Sequence, residues 1–206
     1  MQWHRNSQKR IYIPGGIYFI TINTANRHPY FENETLCEVF LETLDFSSLI
    51  KGFNIHGGAI NLEHLHLLIE LTGKYNYSEI MGTLKRNFSR ECNDLIAGKK
   101  FWRAEGDDSN HRLDPNHRPS GMVTRKYMDI RGNPYFKAHV DKLSELQNRY
   151  FMECNRNSLL PFKWQSSFRD HLIRDEKDYQ NHLEYIKNQS LKHQLAERKW
   201  YWIVEK

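Results

Sequence analysis

The chain has 206 residues, of which 39% are hydrophobic and 27% charged, a balance that excludes a disordered chain and suits one domain or one domain with an insertion. Its net charge of +5 and pI near 9.0 permit a polyanionic partner without requiring one. Three scattered cysteines (Cys37, Cys92, Cys154), no CxxC, no membrane-length apolar run and no signal-peptide core point to a reducing cytoplasm, with no membrane partner.

Residues 11–24 read as a strand entered through a Gly-Gly turn, with Tyr18, Ile20 and Ile22 alternating against Phe19, Thr21 and Asn23. Leu36, Phe40 and Leu44 put a helix over 34–51, stopped by Gly52, and a short strand candidate follows over 53–60. Residues 60–71 read as a mostly buried strand. Residues 77–97 read as a basic amphipathic helix, with Ile80, Leu84, Phe88 and Leu95 on one side. Residues 98–160 interrupt this order. Gly, Pro, Asn, Asp and His dominate 98–135, and helical spacing returns over 136–153. A strand over 162–174 and a helix over 175–195, capped by Asp175, complete the pattern before an aromatic tail, Trp200, Tyr201 and Trp202. The expected architecture is α+β: an antiparallel sheet with helices packed on it. We take residues 1–206 as a single domain, with 98–160 inserted.

His64 and His66 lie two apart on a strand, so both imidazoles project from one face and suit a divalent ion. Among eleven histidines an H-x-H also arises by accident, so the pair needs a third ligand from elsewhere. Glu63 points to the opposite face of a regular strand and is a poor candidate. The helix after Asp175 offers a better one. Its apolar stripe runs through Tyr179, Leu183 and Ile186; Tyr185 lies beside it, and Gln189 follows one turn later on the face of Tyr185. Asp178 and His182 continue that face toward the helix start. On its own, such a Tyr-Gln pair is usually a solvated helix edge.

Three stretches, in order and spacing, resemble the HUH-type single-tyrosine transposases, and among them the REP-associated, IS200-like branch. They are YFITINTANRHPYF (18–31), INLEHLHLLIEL (60–71) and WQSSFRDHLIRDEKDYQNHLEYIKNQSLKH (164–193). The resemblance implies a ferredoxin-like, RRM-like sheet with helices packed on it, a homodimer, and cleavage and joining of single-stranded DNA at hairpin-associated sites. By position it makes His64 and His66 the metal pair and Tyr185 the nucleophile. The REP-associated branch usually carries Asn-Pro where this chain has Gln189-Ser190. Insertion-sequence transposases of the wider superfamily use a Gln at that offset as third ligand, which makes Gln189 the third ligand here.

The expected chemistry is attack by Tyr185 on a phosphate polarised by Mg²⁺ or Mn²⁺, giving a 5′-phosphotyrosine and a free 3′-OH. DNA contacts are expected from Arg27 and from Lys85, Arg86 and Arg90 on the basic helix. Asp170 and His171, on the strand before the tyrosine helix, are candidates to orient a ligand. Two other readings stay open: a non-catalytic nucleic-acid-binding descendant, and an unrelated metallohydrolase that leaves Tyr185 idle.

Overall fold

A computed structural model describes residues 10–99, 134–153, 160–189 and 200–204. The chain divides into two compact units. One takes the chain up to Phe31, then Ser48–Thr83, then Trp164 onward; the other takes Glu32–Ser47 and Leu84–Lys163.

The first unit holds a five-stranded sheet: β1 (Ile17–Thr24), β2 (Phe53–Ile60), β3 (His64–Leu71), β4 (Trp164–Leu172) and β5 (Tyr201–Ile203). The order is β4-β1-β3-β2-β5, and every neighbouring pair is antiparallel. The first four strands follow the ferredoxin-like arrangement of two interleaved βαβ units. This is the α+β sheet that the sequence leads one to expect. β5 is an addition to it, where the sequence reading has only an aromatic tail.

Cross-strand pairing separates the two faces. Thr21 pairs with His66 and Arg169, Asn23 with His64, Phe19 with Leu68 and His171, and Ala59 with His66. These residues share one face. Tyr18, Ile20, Ile22, Leu65, Leu67 and Ile69 fill the other and are at most 1% exposed. Tyr77 covers part of that second face, its ring 4.4 Å from that of Tyr18.

The first face is covered by the helix that follows β4. In chain order the helices are α1 (Glu34–Lys51), α2 (Tyr77–Ile96), α3 (Pro134–Glu153) and α4 (Glu176–Lys187). Asp175 caps α4 by accepting from the Asp178 amide at 2.8 Å, and Glu176 and Asp178 sit at its positive end. Ile186 of α4 buries against Phe19, Ala59 and Leu68, with Tyr179, Leu183 and Tyr185 flanking it. Burying such a side chain stabilises the docking by roughly 1.5–3 kcal/mol.

Gly58 lets β5 join the sheet. A Cβ on Gly58 would lie 2.5 Å from the Trp202 ring and 2.8 Å from the His66 carbonyl, so no larger residue fits beneath that indole.

The second unit has a core of its own, with Phe88 edge-on to both Phe40 and Phe162. Inside it His139 of α3 is clamped between two acids, its Nδ1 2.9 Å from Glu42 and its Nε2 3.3 Å from Glu91. Thr43 also donates to Glu91, at 2.6 Å, and the Phe46 ring stacks on the imidazole at 4.3 Å. Burial pushes the imidazole down, but hydrogen bonds to Glu42 and Glu91 outweigh it and raise it to about 9. The unfolded value is about 6.5. The clamp therefore stabilises fully below about pH 6.5, by on the order of 3 kcal/mol, and the contribution is lost as pH rises through 9. Thermal melts from pH 6 to 10 should show the melting temperature falling on the alkaline side. His139→Gln should lower the melt at pH 6 and flatten the profile; a slope unchanged by the substitution would remove His139 as its source.

Of the expected insertion, α3 is described, and residues 100–133 and 154–159 lie outside the described residues. No helix among the described residues is long and apolar enough to cross a membrane.

Candidate active site

The site lies within the first unit, between the first sheet face and α4. His64 opens β3 and His66 follows two residues later; they are 7% and 3% exposed. Their rings stand edge-to-face at 4.9 Å, so the two imidazoles do share one face. A neighbour fixes each ring through Nδ1. His64 Nδ1 lies 3.1 Å from a Glu63 carboxylate oxygen, and His66 Nδ1 lies 2.9 Å from Thr21 Oγ1. When Nδ1 donates in each case, both Nε2 atoms become acceptors, the form in which an imidazole binds a metal. Glu63 precedes the strand, and its side chain bends back to the histidine that follows. The Thr21 role is readable only once the β1–β3 register is known.

Asn61, in the turn between β2 and β3, links the pair to the far end of α4. Its Nδ2 lies 3.0 Å from His64 Nε2 and donates to Gln189 Oε1 at 3.2 Å. Gln189, only 2% exposed, donates its own amide back to the Tyr185 carbonyl at 3.0 Å. One imidazole lone pair and one amide oxygen therefore converge on a single point. This is the donor set a divalent ion takes, and the residues fit the metal expected from the sequence. Asn61 escapes the sequence reading because its partner lies 128 residues away.

Tyr185 completes the arrangement. Its ring is 5.2 Å from that of His66, edge-on, and 5.7 Å from that of Phe19. His64, His66, Tyr185 and Gln189, from opposite ends of the sequence, thus meet within one chain.

The start of α4 is tied down twice. Tyr179 Oη and His56 Nδ1 are 2.7 Å apart, and His56 Nε2 lies 3.1 Å from Glu70. Burial, with Glu176 and Glu70 nearby, pushes the Tyr179 phenol up. With His56 Nε2 donating to the Glu70 carboxylate, Nδ1 is left to accept from Tyr179. On the β4 side, His171 Nε2 is 2.9 Å from Asp178, and His182 Nδ1 is 3.2 Å from the other oxygen of the same carboxylate.

His171 and Asp170, adjacent in sequence, separate here. His171 shares the sheet face of the histidine pair and touches Asp178. Asp170 lies on the opposite face, where it accepts from Tyr77 at 2.8 Å and pairs with Arg10 at 3.7 Å. The pleat puts Asp170 out of reach of the ligands it was expected to orient. Arg27 is exposed in the first unit, 3.5 Å from Glu63. Lys85, Arg86 and Arg90 belong to the second unit, on α2; Arg86 and Arg90 are exposed, Lys85 half-buried, and Arg90 pairs with Glu91 at 3.5 Å.

Residues 15–106 match the family model described as "Transposase IS200 like". That stretch holds Thr21, Asn61 and both histidines, and it bears out the kinship suggested by the sequence. Tyr185 and Gln189 lie beyond it. The fold is similar to a solved structure described as that of a REP-associated tyrosine transposase bound to a REP hairpin. The TM-score is 0.57 at 17% identity, over 95% of this chain and 81% of that chain. A solved structure of a candidate transposase from Deinococcus radiodurans R1 gives a TM-score of 0.41 at 12% identity, over 89% of this chain and 98% of that one. No protein of curated function matches the chain in sequence.

Proposed function

We propose that the chain is a metal-dependent, single-tyrosine transposase that cuts and rejoins single-stranded DNA beside a hairpin. The observation that carries this reading is the meeting of a half-buried Tyr185 with the buried His66, His64 and Gln189. An unrelated hydrolase would have no use for a phenol there.

His64, His66 and Gln189 would hold the ion, which in its bound state supplies Lewis-acid polarisation of the scissile phosphate. Tyr185 gives up its phenol proton to water as Oη attacks phosphorus, the bond from phosphorus to the 3′ oxygen breaks, and that oxygen takes up a proton and leaves as a hydroxyl. A 5′-phosphotyrosine remains, and reversal with another 3′-OH rejoins the strand without ATP. Thr21 and Glu63 keep the imidazoles turned inward. Arg27, Lys85, Arg86 and Arg90 are the proposed phosphate contacts. A hairpin partner follows from the similarity to the hairpin-bound transposase. The dimer and the cytoplasmic setting belong to the same reading.

Incubation of the full chain with a labelled hairpin oligonucleotide carrying single-stranded flanks tests the reading. With Mg²⁺ or Mn²⁺, a protein–DNA adduct that survives denaturation is expected, and none with chelator. Binding without cleavage under either ion would leave the non-catalytic descendant in its place. Asn61→Ala should keep hairpin binding and slow cleavage about tenfold or more, the usual cost of losing a group that orients metal ligands. An unchanged rate across metal concentrations would show that Asn61 positions nothing.

A further inference from the structure

The cluster of His171, Asp178 and His182 is not used by the proposed reaction. Among the described residues it is the group of His and carboxylate side chains whose ligand atoms come close enough to share an ion, all lying within 4.8 Å of one another. We propose that these three residues form a second divalent-ion site, for a borderline transition ion of the Zn²⁺ type, fastening the tyrosine helix to β4.

The three come from two elements. His171 projects from β4, while Asp178 and His182 stand four apart on α4 and so share a helix face. The Asp178 oxygens lie 2.9 Å from His171 Nε2 and 3.2 Å from His182 Nδ1. A tetrahedral ion with bonds of about 2.0–2.1 Å spaces its ligand atoms roughly 3.3 Å apart, close to the separation of His171 Nε2 from the Asp178 carboxylate. The two imidazole rings pack together. They stack on each other at 4.8 Å, and His182 lies 4.6 Å from Phe19. All three side chains are half-buried, open enough for an ion to enter.

Ligand chemistry selects the class of ion. Two imidazoles and one carboxylate suit Zn²⁺ and its neighbours. Burial opposes the charge on Asp178, but hydrogen bonds from His171 and the Arg174 amide outweigh it and hold the carboxyl below its usual range, as an ionised ligand. His182 Nδ1 also lies 2.8 Å from the Asp178 carbonyl, so ligation takes a turn of that ring away from the backbone.

This site shares no residue with His64, His66 and Gln189, and the two are tested apart. The full-length His64→Ala/His66→Ala protein, stripped with chelator, is titrated with Zn²⁺ by calorimetry and by thermal melt. One equivalent bound, with a raised melting temperature, is expected. Adding His171→Ala and His182→Ala should abolish that binding, with circular dichroism reporting the fold. Should that protein fail to fold, Asp178→Asn in the same background should weaken Zn²⁺ binding at least about tenfold. No zinc bound by the His64→Ala/His66→Ala protein would overturn the proposal. So would the same stoichiometry after loss of His171 and His182, or an affinity indifferent to Asp178→Asn.

Discussion

Tyr185→Phe should abolish the covalent protein–DNA adduct and lower strand cleavage by at least about a thousandfold, while hairpin affinity stays within a few-fold of the unchanged chain. The substitution deletes one hydroxyl and keeps the ring. The contacts of that ring, with Phe19 and His66, are made by its carbons, so α4 should still dock through Ile186 and Leu183. Folding and DNA binding are thereby separated from chemistry. The measurement is a denaturing gel of labelled oligonucleotide after reaction with metal, beside a binding titration without metal. An adduct that persists in Tyr185→Phe would move the nucleophile elsewhere. Tyr179 is a weak substitute: it sits near the start of α4 and donates to His56.

Replacing both His64 and His66 by Ala should be as damaging. A bound ion offers several kcal/mol of stabilisation to charge developing on the phosphate, and removing its two imidazole ligands should cost about a thousandfold in cleavage. Chelation of the unchanged chain should reproduce the effect, and excess Mn²⁺ should not rescue the double substitution. Each histidine is buried and hydrogen-bonded, so some loss of melting temperature is also expected. For that reason Thr21→Val is the better probe of orientation: it leaves both imidazoles and removes only the hydroxyl that sets one of them. Metal-independent cleavage by the double substitution would defeat the metal assignment while leaving Tyr185 in place.

Much of this arrangement is legible in the sequence because it follows from periodicity. Alternation in 17–24 and 64–71 gives the central strands, and a spacing of two puts both histidines on one face. The Asp175 cap and the Tyr179, Leu183, Ile186 stripe give the start of α4 and its buried side. What escapes depends on partners distant in sequence. β5 is three residues of Tyr-Trp-Ile, too short for any alternation, and it is a strand because Gly57 and Gly58 leave room beside β2. Asn61 looks like an ordinary turn residue until Gln189 arrives beside it. Asp170 and His171 are equivalent candidates in sequence, and only the register with β1 assigns them to opposite faces. α4 covers Glu176–Lys187, Gln189 stays in reach through its bond to the Tyr185 carbonyl, and positions 190–195 of the expected helix lie outside the described residues.

β5 has a further consequence for how such a gene decays. The strand pairs Tyr201, Trp202 and Ile203 with the edge of β2, and the chain enters it only after passing Tyr185 and Gln189. The helix bearing the proposed nucleophile is thus leashed from both sides, by β4 before it and β5 after it. A reading frame cut shortly after Gln189 would spell out every residue of the site and still lose one leash, leaving an open sheet edge at β2 where another strand can add. For copies of this gene, an intact list of site residues is therefore a poor measure of an intact protein, and the last strand is the more telling thing to look for.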